Sequence, residues 1–428
     1  MIQEFFSIGG ELLRIDEDVM RLCEKPFSKV EEIKEYNQLK MLKTFTDCKV
    51  AANHLVGTTG YGYDDRGREK LEQVFAVLTK SEDALFRHNF MSGTHALAVA
   101  LFGLLRPNDK MVAATGRPYD TLAGVIGMDG DSGNGTLIEY GIQYTEVPFE
   151  DDKFDFARIE EECRDAKVCY IQRSRGYASR RTLTLEDIEQ IADVAKKSNP
   201  HVWVVVDNCY GEFTQKNEPT EVGADLIVGS LIKNPGGGIA PTGGYIAGKK
   251  ELVEKCAHRL TAPGVGKEIG CTTDMLRQLY LGLYYAPGVT AEAVKTSIYA
   301  ACLFEKLGYD VNPKYQIVRN DIVTSVQTET PEGLKAICEG IQAVSPVDSF
   351  AAPQPWPMPG YDNEVIMAAG TFTLGSSIEL SCDGPMREPY TAYMQGGINF
   401  SASRAGILLA AQKMMGAKQM KHKIDKPL

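Results

Sequence analysis

No apolar run in this 428-residue chain reaches the roughly eighteen residues that a membrane-spanning helix needs. The opening stretch, MIQEFFSIGGELLRIDEDV, has no basic segment ahead of an apolar one, so a cytoplasmic protein is expected. The ten cysteines include no C-x-x-C pair and no Cys/His cluster at zinc-ligand spacing, which argues against a disulfide framework and a structural metal. Positive charge is also in short supply. With 46 Lys and Arg against 57 Asp and Glu, the net charge is −11, and neither nucleic acid nor an anionic membrane is expected as a partner. No strand runs into G-x-G-x-x-G, and GVGKE (264–268) lacks the first Gly and the Ser/Thr of a phosphate loop. Asp129 and Asp131 stand at calcium-loop spacing, but without the required Gly and final Glu they read as a surface loop.

What remains is the composition of a folded protein that handles small molecules, with 43% hydrophobic and 24% charged residues. The length exceeds what one core supports, so two domains are expected. Behind Ser28, the residues Val30, Ile33, Tyr36, Leu39 and Leu42 recur at helical spacing and predict a helix to Leu42. Short apolar runs then alternate with helical segments: 111–114, 168–171, 202–206, 226–228 and 245–247 as strands, 94–105 and 185–197 as helices. Thr184 and Asp187 form a capping box for the second of these helices. That alternation implies an α/β fold with a mostly parallel central sheet covered by helices on both faces. From about Pro287 the pattern becomes α+β, with a long helix through Leu303, strands at 321–326, 365–369 and 377–381, and a helix at 403–415. The Pro-rich 351–364 cannot be regular structure. The expected division is a helical segment at 1–56, a large α/β domain at 57–289 and a smaller domain at 290–428.

The chemistry concentrates where strands end. In HVWVVVDNCYGEF (201–213) a buried apolar strand closes on Asp207, and in GSLIKNPGGG the next run is followed by Ser230 and Lys233. Parallel α/β sheets bind ligands beyond the carboxyl ends of their strands, which puts both residues in position to meet a cofactor. A carboxylate and an amine together suit pyridoxal phosphate: the acid keeps the pyridine nitrogen protonated and the lysine makes a Schiff base. Ser230 could reach the phosphate. A second phosphate contact is expected at a helix N-terminus, where Ser92, Gly93 and Thr94 precede an apolar helix. Tyr119, beyond another apolar run, could stack on the ring. His95 and Cys209 stand near these groups, with a locally satisfied histidine and an inert buried thiol as their plainer readings.

Taken in order, S-G-T, Tyr, strand-end Asp and S-x-x-K resemble fold-type I pyridoxal-phosphate enzymes of cysteine and methionine metabolism. More closely, GYGYDDRGREKLEQVFA, VVVDNCYGEF, GSLIKNPGGGIAPTGGYIAG, GSSIELSCDGPMREPY and YMQGGINF resemble the methionine gamma-lyase-like, or aluminium-resistance, family. The likeness runs from about Gly57 to the C-terminus. It implies Lys233 as the cofactor lysine, Asp207 as the pyridinium partner, Tyr119 as the stacking ring, and Gly93, Thr94 and Ser230 as phosphate ligands. In such enzymes a Tyr-x-Arg segment reaches the phosphate of the neighbouring subunit. The nearest match here is Tyr61, Tyr63 and Arg66, with altered spacing. Better-known gamma-lyases place Gly after the stacking tyrosine, where this chain has Asp120 and Thr121.

For the substrate carboxylate, arginine's two-pronged geometry is the best fit, with Arg387 first and Arg173 second. The expectation is a carbon–sulfur lyase acting on a sulfur amino acid, in a homodimer or tetramer with shared sites. Transamination and γ-replacement use the same groups. A cofactor-binding stress-resistance protein without turnover is the alternative from another class.

Overall fold

The computed structural model describes residues 1–128, 130, 133–150 and 152–424, so Asp129 and Asp131 lie outside the described residues. The chain divides into two compact units, residues 36–286 and residues 1–35 with 287–428. In chain order come α1 (Gly10–Asp47), α2 (Arg66–Leu78), β1 (Asp83–Arg87), α3 (Gly93–Leu104), β2 (Lys110–Ala113), α4 (Asp120–Ile126) and β3 (Gln143–Glu146). A small hairpin, β4 (Phe149–Glu150) and β5 (Lys153–Phe154), leads to α5 (Phe156–Cys163), β6 (Val168–Gln172), α6 (Leu185–Ser198) and β7 (Trp203–Asp207). Then follow β8 (Leu226–Ser230), β9 (Gly244–Gly248), α7 (Lys250–Leu260) and α8 (Leu276–Lys306). No described helix is long and apolar enough to cross a membrane.

The larger unit is built on a seven-stranded sheet in the order β1-β9-β8-β7-β6-β2-β3. Only β9 runs against the others. The β-branched run of β7 explains its central place. Val204 and Val206 pack into one core layer with Cys169, Ile171 and Ile227, and Val205 packs into the opposite layer with Tyr170 and Val228. Both faces are therefore dry, as a parallel sheet with helical crossovers requires. On one face α6 lays down Ile188, Ile191, Ala192 and Ala195 at helical spacing, and its Thr184–Asp187 capping box closes the first turn. On the other, α3 buries Ala96, Leu97, Ala100, Leu101 and Leu104.

The smaller unit carries β10 (Val311–Asn312), β11 (Val323–Gln327), α9 (Pro331–Gln342), β12 (Val365–Ala368), β13 (Ser381–Pro385), β14 (Thr391–Gln395) and α10 (Phe400–Ile424). Its strands form an antiparallel sheet in the order β10-β11-β14-β13-β12. Helix α9 packs on this sheet and against α10.

Four expectations need adjustment. Residues 1–56 are not a separate segment, because buried Asp16 accepts hydrogen bonds from Tyr299 (2.6 Å) and Arg404 (2.8 Å) in the smaller unit. Asn37, by contrast, donates to Phe213 and Gln215 in the larger one. The first helix is much longer than 28–42 and contains Pro26. The strand expected at 377–381 begins only at Ser381, since the Glu379 carboxylate instead accepts the N–H groups of Phe372 and Thr373 and holds a turn. Strands β1, β3 and β14 were not anticipated. Their runs are short, and tertiary pairing rather than a long apolar pattern makes them strands.

Beside the sheet, Arg87 at the end of β1 forms a buried ion pair with Glu72 of α2 at 2.7 Å and also donates to the carbonyls of Ile269 and Lys267. Arg68, equally buried, ties Gly62 (2.9 Å) to Gly270 (2.8 Å). These guanidiniums hold the 61–63 and 267–270 segments in place. Glu72→Ala should lower stability by about 3–5 kcal/mol, because it strands the Arg87 charge in the core. Denaturant unfolding of the variant checks this, and a loss under about 1 kcal/mol would contradict it.

Candidate active site

Strand register assembles the site. In β6 and β7 Gln172 lies opposite Asp207, and Asp207 pairs in turn with Val228 of β8, two residues before Ser230. The carboxyl ends of three adjacent strands thus bring Gln172, Asp207 and Ser230 to one edge. Lys233 follows directly, half-buried, with its Nζ 3.9 Å from the centre of the Tyr210 ring.

Asp207 is 4% exposed. Its Oδ1 accepts the Cys209 N–H at 3.1 Å, and the Tyr170 hydroxyl donates to Oδ2 at 3.5 Å. Burial pushes this carboxyl up; the Lys233 charge and the Cys209 and Tyr170 donors pull it back without cancelling the rise. An acid in that condition gains most from a positively charged N–H placed against it. For Lys233 burial opposes the charge, and the Asp207 carboxylate counters it and favours the ammonium.

Tyr119 stands at the start of α4. The Gln172 Oε1 accepts its backbone N–H at 2.8 Å, while the Gln172 amide donates to the Ser174 carbonyl, so this side chain locks the tyrosine's backbone to the strand edge. The Tyr119 hydroxyl lies 3.2 Å from the Thr94 hydroxyl, which is itself 3.0 Å from that of Thr121. Burial, then the Asp207 charge, raises the Tyr119 phenol far above its usual range, and it stays protonated.

Ser92 caps α3 by accepting the His95 N–H, and His95 Nδ1 accepts the Met91 N–H. Both side chains are thus engaged in the cap. The N–H groups of Gly93 and Thr94 fall in the first helical turn, which no intrahelical carbonyl can reach. A Cβ on Gly93 would lie 3.2 Å from the Ser230 Cβ and 3.6 Å from the Cys209 sulfur, so glycine lets helix and strand edge close on each other. Ser230 is 1% exposed and its hydroxyl has no hydrogen-bond partner. A buried, unpartnered hydroxyl beside a helix N-terminus is fitted to an anion with several acceptor oxygens, such as a phosphate.

Other expected residues are placed differently. Arg173 is fully buried and donates to Asn208 Oδ1 at 2.7 Å. It passes so close under the 208–211 turn that a Cβ on Gly211 would meet its Nη1 at 2.4 Å. Arg387 is exposed in the turn between β13 and β14, in the smaller unit. Tyr61, Tyr63 and Arg66 are all exposed, with the two rings 5.7 Å apart. The Cys209 thiol is buried, and burial followed by the Asp207 charge pushes it well above its ordinary range, the mark of an unreactive thiol. Gln172, Tyr170, Tyr210 and Thr121 went unassigned in the sequence. Only Gln172 had a usable signal, as a polar residue closing an apolar strand.

Against known proteins, residues 12–415 match the family described as methionine gamma-lyase. The chain belongs to that family. An uncharacterized protein of Bacillus subtilis, YnbB, is 42% identical over 413 residues, spanning 95% of this chain and 97% of its own. A carbon–sulfur lyase involved in aluminium resistance from Clostridium novyi superposes with a TM-score of 0.91 at 45% identity, over 95% of this chain and 96% of that one. The pyridoxal-5'-phosphate dependent protein YhfS of Escherichia coli shares the fold, with a TM-score of 0.61 at 16% identity over 90% and 97% of the two chains. The architecture is fold-type I. If the Ser230 hydroxyl serves only a ligand, Ser230→Ala removes no internal hydrogen bond. The thermal midpoint of the cofactor-free variant should then match or slightly exceed that of the wild type. A drop of several degrees would mean that the hydroxyl is structural.

Proposed function

We propose that this chain is a pyridoxal-phosphate-dependent carbon–sulfur lyase. It would convert a sulfur amino acid of the cystathionine or methionine kind, with uptake of one water, into a thiol, ammonia and a keto acid. The observation that carries this reading is the unpartnered Ser230 hydroxyl facing the first turn of α3, on the strand edge that also presents Asp207 and Lys233. Ser230, Gly93 and Thr94 would hold the phosphate, Asp207 the ring nitrogen, Lys233 the aldehyde carbon, and Tyr119 would lie against the ring.

When bound, pyridoxal phosphate supplies an aldehyde that exchanges between amines and a ring that takes up the electron pair left by the α-proton. The chain's own groups do the rest. Asp207 would keep a proton on the ring nitrogen, because its buried carboxyl is better satisfied by a charged N–H than by its present partners. Lys233 Nζ would serve as the base for the α-proton. Tyr119 remains a phenol and donates its proton to the departing sulfur, with Thr94 and Gln172 fixing its direction. Of the two arginines proposed for the substrate carboxylate, Arg387 is exposed and Arg173 is committed to Asn208. Tyr61, Tyr63 and Arg66, exposed on a segment pinned by Arg68, would complete the phosphate site of a second subunit in a dimer or a pair of dimers.

The deciding experiment follows keto acid, thiol and deuterium exchange at the α carbon with cystathionine, methionine and cysteine. Wild type should yield all three signals with at least one substrate, and α-exchange without keto acid from any of them would overturn the lyase reading. Lys233→Ala should fold but leave no borohydride-stable adduct, Asp207→Asn should lose about 100-fold or more in kcat, and Ser230→Ala should bind the cofactor about tenfold more weakly. A separate test concerns the shared site. Mixing inactive Lys233→Ala with inactive Arg66→Ala should restore part of the activity. No recovery despite demonstrated subunit exchange would refute it.

A further inference from the structure

Five residues beyond Asp207 stands an acid with no part in the chemistry above. Glu212 is 2% exposed, and its Oε1 accepts the Tyr245 hydroxyl at 2.7 Å while Oε2 has no hydrogen-bond partner. It lies between Tyr210 (φ 70) and Phe213 (φ 60), both left-handed, a conformation that costs a residue with a Cβ and survives only when its surroundings impose it. What imposes it is visible. The Asn234 side-chain amide donates to the carbonyls of both Tyr210 (3.0 Å) and Glu212 (2.9 Å), and Asn234 directly follows Lys233. The Phe213 N–H donates to Glu218, which also accepts from Asn208. The turn that carries Glu212 and the backbone that carries Lys233 are therefore one hydrogen-bonded body, with the lysine amine resting on the Tyr210 ring. Gly229, one residue before Ser230, leaves room for this acid, since a Cβ there would lie 2.6 Å from Oε1.

The titratable groups facing Glu212 are Tyr245 from β9, Cys209 and Glu218 from its own segment, and Lys233 from beyond β8. Tyr245 and Cys209 are held well above their ordinary ranges, chiefly by burial, and stay neutral. Burial pushes Glu212 itself up to about 8; the Tyr245 hydrogen bond and the Lys233 charge pull against that rise, and Glu218 adds to it.

We propose that Glu212 is a positioning residue for Lys233. Neutral, it braces the turn beneath the lysine; ionised, it places a negative charge behind Lys233 that strengthens the amine's hold on its proton. The proposal rests on reading Lys233 as the cofactor-binding amine. It makes this turn a device that ties the availability of the lysine lone pair to pH.

The test compares wild type, Glu212→Gln and Tyr245→Phe. The first readout needs no cofactor. A carboxyl whose folded-state pKa is raised contributes stability that is complete below its unfolded value and declines as pH rises toward about 8. Thermal midpoints of cofactor-free wild type and Glu212→Gln should therefore agree near the acid end, with the variant pulling ahead by about pH 9. Tyr245→Phe removes a donor that favours the carboxylate, so its decline should begin at the same pH but continue to a higher one. The second readout is the pH titration of the visible absorbance of pyridoxal phosphate bound to Lys233. Glu212→Gln should lower that midpoint by roughly one unit, the size of a nearby charge effect. An acid that was buried without acting on Lys233 would still change the stability curve on isosteric replacement, but would leave the absorbance midpoint where it is. Parallel stability curves, or an absorbance midpoint indifferent to Glu212→Gln, would overturn the proposal alone. If the wild type shows no visible adduct, the reading of Lys233 falls first and the proposal with it.

Discussion

The larger unit is organised around one electrostatic constraint, a carboxylate sealed at the end of the central strand with an amine on the turn after the next. Asp207 is buried, and water cannot screen it. Its position follows from parallel register, which brings the carboxyl ends of β6, β7 and β8 to one edge. Everything around it answers that charge. Lys233 supplies the counter-charge, Cys209 and Tyr170 supply hydrogen bonds, and the helix on that face turns its own N-terminus toward the adjoining Ser230.

A charged edge of this kind has to be rigid to be useful, since misplacement by about an ångström costs catalysis heavily. The rigidity comes from side chains bonded to backbone. Gln172 holds Tyr119, Asn234 spans two carbonyls of the 210–212 turn, and Glu218 takes the Phe213 N–H. Two left-handed non-glycine residues within four positions show how firmly that turn is held. Elsewhere in the unit, Arg68 does the same for the loop bearing Tyr61 and Tyr63, and Arg87 for the 267–269 segment.

The polar groups left over point to function. The Ser230 hydroxyl and one oxygen of Glu212 lack hydrogen-bond partners, as do single buried atoms of Asn37, His88 and Asn234 in the same unit. Leaving such groups unmatched costs about 1–3 kcal/mol each, and their location distinguishes them. Ser230 lies beside a helix terminus and suits an external anion, whereas the Glu212 carboxyl lies against Tyr245 and Gly229.

The sequence by itself determined the sheet's central strands, the capping box at Thr184 and the order of Gly93, Tyr119, Asp207, Ser230 and Lys233. Each of these is written in local terms: β-branched runs, a serine or threonine three residues before an acid, and polar residues where apolar runs stop. Tertiary structure alone decided the rest. Residues 1–35 join the C-terminal residues because Asp16 meets Tyr299 and Arg404, partners nearly 300 or more positions away that no local pattern announces. Short strands such as β1 and β14 exist because a neighbour offers hydrogen bonds, not because their own residues insist on extension. Arg173, promising as a strand-end cation, is turned under the 208–211 loop by its bond to Asn208. Glu212 reads in sequence as one acid among many. Only the closing of β8, β9 and the Asn234 bridge around it removes its water and makes its charge matter.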